Sequence, residues 1–183
     1  MKRIVGVAVL LTCVAGCGGG TPSAGSTTTS SAAASSASGG GTVEAPRWPG
    51  VGGEGKCPYL GSADVAQFNG QQVGKVKLGD GAAGEHPVCF FFRPNGEEQL
   101  RVRIFTGTEA EAKALVDSVA PVATSSPVTL DGGWKGGAQP TEKGAVFAVA
   151  KGGVAVAAVS NQKRTIAPKR AVEKAVEAVK TAG

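Results

Sequence analysis

The chain is organised around the stretch Val88–Ile104, which reads VCFFFRPNGEEQLRVRI. Its first part, residues 88–92, is apolar without alternation, as expected for a central strand that is covered on both faces. Residues 93–97 are a strong hairpin-turn signal, because proline, asparagine and glycine follow one another there. Residues 100–104 then alternate apolar side chains with arginines, which is the pattern of a half-buried strand. The stretch therefore predicts a β-hairpin with a central strand.

Helical and extended patterns flank this hairpin on both sides. The clearest helix signal is the capping box of Thr108 and Glu111, and Pro121 ends the helix that follows. The predicted helices cover 62–69, 109–120 and 168–179, and the further predicted strands cover 73–78, 127–130, 146–150 and 154–159. Mostly local hairpins imply an α+β fold, an antiparallel sheet of about six strands with about three helices packed on it as an α/β sandwich.

The N-terminus has the features of an exported lipoprotein. Two cations precede an apolar run at 4–14, and that run is shorter than the roughly 20 residues that a membrane-spanning helix needs. Val14-Ala15-Gly16-Cys17 resembles the bacterial lipobox. Residues 1–16 are therefore a predicted signal peptide, and Cys17 is the predicted lipidation site, with a diacyl anchor that binds a membrane stably. The alternative is an ordinary secreted protein that is cut near Cys17.

The four cysteines divide by position. Cys13 lies in the predicted signal peptide and Cys17 is the predicted lipid carrier. Cys57 and Cys89 remain as a pair in an exported domain, which predicts a disulfide. Closing a loop of about thirty residues stabilises a fold by roughly 3–4 kcal/mol. Two buried thiols are the alternative, and a metal site is disfavoured because the chain has one histidine.

Residues 17–55 are predicted to be a lipidated cysteine followed by a flexible tether. The segment is rich in Gly, Ser, Thr, Ala and Pro and has almost no large apolar side chain, so it buries too little surface to offset its ordering entropy. Trp48 is the exception, and we expect it either to dock on the domain or to stay exposed in the linker. Residues 56–183 are then a single predicted globular domain.

The charge of the chain is mildly basic. The formal net charge is +5, of which Lys2 and Arg3 in the predicted signal peptide carry two units. This density is too low for a nucleic-acid-binding protein. The densest basic cluster contains Lys163, Arg164, Lys169 and Arg170. Because cations are slightly unfavourable at a helix N-terminus, the cluster suggests an anionic polymer or a lipid head group as ligand, with solvated surface charge as the alternative.

Other candidate site residues are sparse. Trp134 follows a glycine pair in the predicted loop 131–137 and is a candidate lip for a ligand or partner, or else a ring folded over the sheet edge. His86 is the one imidazole of the chain, and no Gly-x-Ser-x-Gly motif accompanies it. We therefore expect no enzymatic activity. Asp80, Glu85 and His86 match no known cation-loop spacing, so neither a metal nor another cofactor is predicted.

Three motifs resemble a family of actinobacterial lipoproteins that is defined as a domain of unknown function, number twenty-twenty. They are the segments 57–60 (CPYL), 86–94 (HPVCFFFRP) and 101–107 (RVRIFTG). The resemblance covers residue 56 to the C-terminus and implies no activity, substrate or catalytic residue. The order of the predicted elements is in addition similar to the Mog1/PsbP-like arrangement.

The function expected from these features is that of a lipid-anchored protein on the extracytoplasmic side of the cell membrane. Its domain is expected to be a non-enzymatic binding or accessory module for an envelope protein, glycan or lipid, and not for nucleic acid. The alternative is a carrier of an apolar or lipid small molecule, with residues 90–92 lining a cavity.

Overall fold

The computed structural model describes residues 43–79 and 86–182, so the predicted signal peptide, Cys17 and most of the predicted tether lie outside the described residues. The described part of the chain forms one antiparallel sheet of eight strands, in the order β1-β2-β3-β4-β8-β7-β6-β5, with three helices. The elements are β1 (Val51–Glu54), α1 (Ser62–Asn69), β2 (Lys75–Gly79), β3 (Cys89–Phe92), β4 (Glu98–Thr106), α2 (Glu109–Val119), β5 (Ser126–Leu130), β6 (Trp134–Thr141), β7 (Gly144–Lys151), β8 (Val154–Ser160) and α3 (Ile166–Ala182). The predicted α+β class with an antiparallel sheet is confirmed.

The hairpin predicted at Val88–Ile104 is present as β3 and β4. Phe91 pairs with Leu100, and Gly96 in the turn has a φ of +85°, which suits glycine because it has no Cβ to clash. Strand β4 also pairs with β8, from Leu100 to Thr106. The hairpin therefore joins the β7–β8 hairpin and lies inside the sheet rather than at its edge.

Helices α1 and α3 cover one face of the sheet, which we call the α3 face. Its buried cluster takes Val172 and Val176 from α3, and large side chains such as Phe91 and Phe147 from the strands. Each such side chain contributes about 1.5–3 kcal/mol when it is fully buried. This face therefore holds the main hydrophobic core.

Helix α2 covers the opposite face, which we call the α2 face. Its first turn carries the predicted capping box, since the Glu111 amide donates to Thr108 Oγ1 at 3.2 Å and the Thr108 amide donates to Glu111 Oε2 at 2.9 Å. Leu115 and Val116 pack against small strand residues such as Ala148 and Ala157. Alanines allow the helix to lie close to the strands. Among the described residues, none of the helices has the length and apolar character that a membrane span requires.

The prediction is about six strands, and the sheet has eight. One of the two additional strands is β6. The glycine-rich stretch at 131–137 predicted a loop, but Trp134–Thr141 pairs with both β5 and β7. A Cβ at Gly136 would lie 1.9 Å from the carbonyl oxygen of Ala148. Glycine therefore stands there because the neighbouring backbone is too close for a side chain, not because the chain turns.

The other additional strand is β1, which lies within the predicted tether. Val51 pairs with Gly79 and Glu54 with Lys77, so Val51–Glu54 forms the edge of the sheet. The prediction that the tether extends to residue 55 is therefore wrong, because residues 43–55 are part of the folded domain. Strand β1 was not recognisable because its pairing uses backbone groups, which any sequence supplies, and VGGE has no apolar alternation.

Residues 43–50, which we call the N-terminal strap, run over the α2 face before β1. Arg103 Nη1 donates to the carbonyl oxygens of Pro46 at 2.9 Å and Arg47 at 2.8 Å. The Arg101 guanidinium lies 5.0 Å from the centre of the Trp48 ring. Of the two expectations for Trp48, docking on the domain is the one observed.

Candidate functional site

The predicted disulfide is present and joins the segment before α1 to β3. The Cα atoms of Cys57 and Cys89 are 5.7 Å apart. Next to it, the Tyr59 hydroxyl lies 2.8 Å from the carbonyl oxygen of Pro87 and 3.1 Å from that of Val102. Burial raises the pKa of Tyr59 above its ordinary value, and a backbone hydrogen bond at Cys89 opposes the shift. The phenol is therefore neutral and acts as a structural bridge.

An open groove, the α2 groove, lies on the α2 face, with a volume of about 690 Å³. This volume falls within the range of about 300–1,000 Å³ that is usual for ligand sites. Its floor is apolar and small, and its two walls carry charged side chains. The floor includes Val116, Ala120, Pro127, Gly136 and Ala150, and the charged residues are Glu109, Lys113 and Asp117 of α2 with Lys135 and Lys151 of the strands.

The two walls of the α2 groove differ in their available charge. On α2, the Lys113 ammonium lies 2.6 Å from Glu109 Oε1, and its hydrogen bond and charge hold the pKa of Glu109 below its ordinary value. Asp117 Oδ1 accepts a hydrogen bond from the Val122 amide at 2.9 Å. Lys135 and Lys151 are exposed and form no ion pair within the described ranges. The strand wall therefore carries Lys135, which shares the α2 face with Ala150, and Lys151 adds an exposed cation at the end of β7.

A second groove, the α3 groove, lies on the α3 face beside the first turns of α3. Its volume is about 420 Å³. The apolar side chains of Val128, Leu130 and Phe147 contribute to its lining, and Thr165 and Lys169 border it. It thus combines an apolar surface with a cation at one end.

The structure separates the predicted binding residues into two groups. Lys169 borders the α3 groove, and Lys163, Arg164 and Arg170 are exposed close to it in the chain. Trp134, by contrast, is only 3% exposed and belongs to the same buried cluster as Val172 and Val176 of α3. The prediction of an exposed lip at Trp134 is wrong, because the residue begins β6 with its ring on the covered α3 face.

The three phenylalanines of β3 line neither groove. Phe90 is 2% exposed and Phe91 is fully buried. Both are therefore packed, and they contribute no surface to the α2 groove or the α3 groove.

A cluster of amide side chains was missed by sequence reasoning. Asn69, which is 6% exposed, donates to Gln99 Oε1 at 3.1 Å and to Asn161 Oδ1 at 3.0 Å, and its own Oδ1 accepts from Ser160 Oγ at 2.6 Å. The signal was present in the runs NGQQ at 69–72 and SNQ at 160–162. Because its buried polar groups satisfy one another, the cluster holds the end of α1 to one end of the sheet.

Catalytic and metal-binding groups contribute little to the described surface. The His86 ring packs edge-on against Tyr59 at 5.9 Å between centres and borders neither groove. Within residues 43–79 and 86–182, no three His, Cys, Asp or Glu side chains lie together as a metal-binding group. Asp80 and Glu85 fall outside the described residues. The chemistry that the grooves offer is apolar contact bordered by charge.

Comparison with known proteins identifies a family. The profile of the family described as Domain of unknown function (DUF2020) matches residues 42–181, which include the N-terminal strap and β1 as well as the predicted domain. The chain belongs to this family. A search of curated proteins finds no match.

Proposed function

We propose that this member of the DUF2020 family is a membrane-anchored lipoprotein of the bacterial envelope whose domain is a non-enzymatic binding module. The anchor is the lipid on Cys17, after cleavage of residues 1–16, and the domain faces the extracytoplasmic side. The lipobox at residues 14–17 supports the anchor, and the disulfide supports an oxidising compartment. We also propose an actinobacterial origin, from the three sequence motifs, and a Mog1/PsbP-like arrangement, from the order of the elements.

The proposed binding site is the α2 groove, and the proposed ligand is an acidic extended segment of an envelope protein. The single observation that carries this proposal is a large open groove with an apolar floor and two lysines that form no ion pair among residues 43–79 and 86–182. Glu109 and Asp117 are eight residues apart on α2, which corresponds to about 12 Å of helix. An extended peptide of about three or four residues has this length.

The charges of the groove favour a ligand with carboxylates. A carboxylate at Lys135 meets an ammonium group that lacks an acidic partner within the described ranges, and Lys151 at the border of the groove is a second such cation. Small residues such as Gly136 and Ala150 leave room for apolar side chains above the sheet. Recognition then combines apolar burial on the floor with charge pairing at the strand wall.

The polar groups of the groove suit binding better than catalysis. Ser125 supplies a hydroxyl, which donates to the carbonyl oxygen of Ala120 at 3.1 Å. The residues that line the groove include no imidazole or thiol to activate it. This lining supports the non-enzymatic assignment.

The test is a binding measurement with charge-reversed variants. The full chain carrying Cys17→Ser is titrated with acidic envelope peptides, and Lys135→Glu with Lys151→Glu is expected to weaken binding about tenfold or more. Lys143→Glu is the control, because Lys143 is exposed and lies outside the groove. Equal losses in the control and the groove variants, or no binding by the unmodified groove, would contradict the proposal.

The anchor has its own test. Cys17→Ser is expected to move the protein from the membrane fraction to the soluble extracytoplasmic fraction, and intact mass is expected to show a diacyl group on the native chain only. An unmodified native N-terminus would exclude the lipid anchor.

A carrier of an apolar or lipid small molecule is the alternative function. The apolar lining of the α3 groove favours it, although residues 90–92 do not contribute to that lining. Native mass spectrometry of the purified chain tests it, since a carrier is expected to retain its lipid during purification.

A further inference from the structure

The α3 groove exists because α3 covers only part of its face. The helix packs on β4, β7 and β8, while β5 and β6 continue the sheet to its edge. On β5, Val128 and Leu130 lie on the α3 face and are partly exposed. An apolar strip therefore lies beside the start of α3 with no helix on top of it.

Lys169 borders this strip, and three further exposed cations, Lys163, Arg164 and Arg170, are close to it in the chain. The side chains of Lys169 and Arg170 are 50% and 62% exposed, and both approach the same carboxylate, Glu173, at 3.7 Å and 3.6 Å. Lys163 and Arg164 are exposed and make no ion pair within the described part of the chain. One carboxylate thus pairs with two of the four cations, which leaves a net positive charge in this part of the chain.

Two opposing effects act on the cations of α3: the pairs with Glu173 at i+4 and i+3 favour them, whereas the helix dipole does not. The N-terminal turn of a helix carries a partial positive charge, so nearby cations oppose the helix dipole. The same turn and the same cations attract an anion together. The arrangement therefore offers an external anion both the helix terminus and exposed cations.

We infer that the α3 groove holds one anionic phospholipid of the membrane to which the chain is tethered. One acyl chain lies along Val128, Leu130 and Phe147, and the phosphate of the head group lies at Lys169 with the neighbouring cations. A polyanionic glycan would use the cations but not the apolar strip, whereas a phospholipid matches both. The inference relies on the proposed membrane anchoring for access to lipid and is independent of the ligand of the α2 groove.

The experiment measures contact between an acyl chain and the groove. The full chain is reconstituted in vesicles of phosphatidylglycerol or phosphatidylcholine that carry brominated acyl chains, which quench tryptophan on contact. A reporter is introduced by Val128→Trp, and the signal of the unmodified chain is subtracted. The matched control is Val122→Trp, because Val122 is 85% exposed and borders the α2 groove on the opposite face. Leu130→Trp is a second reporter if the first variant does not fold.

We expect the reporter in the α3 groove to be quenched in phosphatidylglycerol and several-fold less in phosphatidylcholine. Lys163→Glu with Lys169→Glu is expected to raise the lipid fraction for half-maximal quenching about tenfold or more, since each cation near an anionic surface contributes measurably. Lys135→Glu with Lys151→Glu changes the net charge equally on the other face and is expected to have little effect.

Three results would overturn the inference: equal quenching in both lipids, equal quenching of the Val122→Trp control, or equal effects of the two charge reversals. Failure here is distinguishable from failure of the proposed function. Peptide affinity at the α2 groove is measured separately, and Lys163→Glu with Lys169→Glu is expected to leave it unchanged.

Discussion

The two faces of the sheet are covered in different ways. On the α3 face, two helices pack on large side chains such as Phe91 and Phe147, and the Cys57–Cys89 disulfide links the segment before α1 to β3. On the α2 face, one helix lies on alanines of β7 and β8. The N-terminal strap covers part of the rest, held by arginine hydrogen bonds rather than by an apolar core.

This difference explains where the grooves are. Two helices on one face and one helix on the other do not reach every strand of an eight-stranded sheet, and the strap covers the side of β4 rather than that of β5. The outer strands β5 and β6 are therefore left partly open on both faces. The α2 groove and the α3 groove lie back to back on these strands, so the least covered part of the fold carries both proposed ligand sites.

The two faces are expected to differ most in how much stability is lost when a neighbouring phenylalanine of β3 is replaced by alanine. Phe91→Ala is expected to lower the free energy of unfolding by about 3–5 kcal/mol, because it leaves a cavity in the main core. Phe90→Ala on the α2 face is expected to cost less, since the strap can move toward the space. Urea denaturation measures both, and an equal or larger loss for Phe90→Ala would mean that the α2 face is packed as firmly.

Removal of the disulfide is expected to be nearly as costly. Cys57 and Cys89 are 32 residues apart, so Cys57→Ala with Cys89→Ala should lower the free energy of unfolding by about 3–4 kcal/mol. Denaturation of the unmodified chain with and without reductant is the matched comparison. If reductant leaves the stability unchanged, the cross-link does not constrain the α3 face.

A larger side chain in place of an alanine under α2 tests whether the helix packs closely on the strands. Ala157→Leu places a larger side chain between β8 and the helix, where Ala157 is fully buried, and is expected to cost about 1–3 kcal/mol. Faster hydrogen exchange is expected in α2 but not in α3. The control Ala63→Leu lies on the exposed side of α1 and should change stability by less than about 0.5 kcal/mol. Unchanged exchange in α2 would argue against close helix packing.

Release of the strap is expected to have a smaller and local effect. Arg103→Met removes the two hydrogen bonds to Pro46 and Arg47 while keeping an apolar stem, at a cost of about 1–2 kcal/mol. Burial lowers the pKa of Arg103, but a guanidinium stays protonated. Hydrogen exchange should accelerate at 43–50 and remain unchanged in α3. Arg101→Met leaves both carbonyl contacts in place and removes only the guanidinium over the Trp48 ring, so it is expected to accelerate exchange less than Arg103→Met.

The smallest expected effect at neutral pH concerns Tyr59, the one tyrosine of the chain. Tyr59→Phe should cost about 1 kcal/mol through the loss of its hydrogen bonds. Because folding raises the pKa of Tyr59, the neutral phenol stabilises the fold fully below the unfolded pKa of about 10, and this stabilisation is lost as pH rises above it.

Tyrosinate absorbance in the near ultraviolet tests this dependence. The signal should appear only as the unmodified protein unfolds at alkaline pH, and Tyr59→Phe should weaken the alkaline decline in stability. Tyrosinate absorbance in a protein that is still folded would contradict the burial of this phenol.

Much of the fold was predictable where a signal is local. The β3–β4 hairpin, the capping box at Thr108 and the pairing of Cys57 with Cys89 all followed from short patterns and were found as expected. The candidate site was predictable only in part. The cations near α3 were identified, whereas Trp134 was assigned to a loop because glycine was interpreted as a turn signal rather than as close backbone packing.

By itself, the amino-acid sequence determined the α+β class, the hairpins and the three helices, because turn chemistry and side-chain periodicity act over short distances. It also determined the cysteine pair, because only two cysteines fall in the predicted domain. Only the tertiary structure decided that β1 and β6 join the sheet, that the strap docks on Arg103, and that two grooves flank β5. These features depend on backbone hydrogen bonds between distant segments and on how far each helix reaches across eight strands. Neither quantity is written in the local pattern of residues.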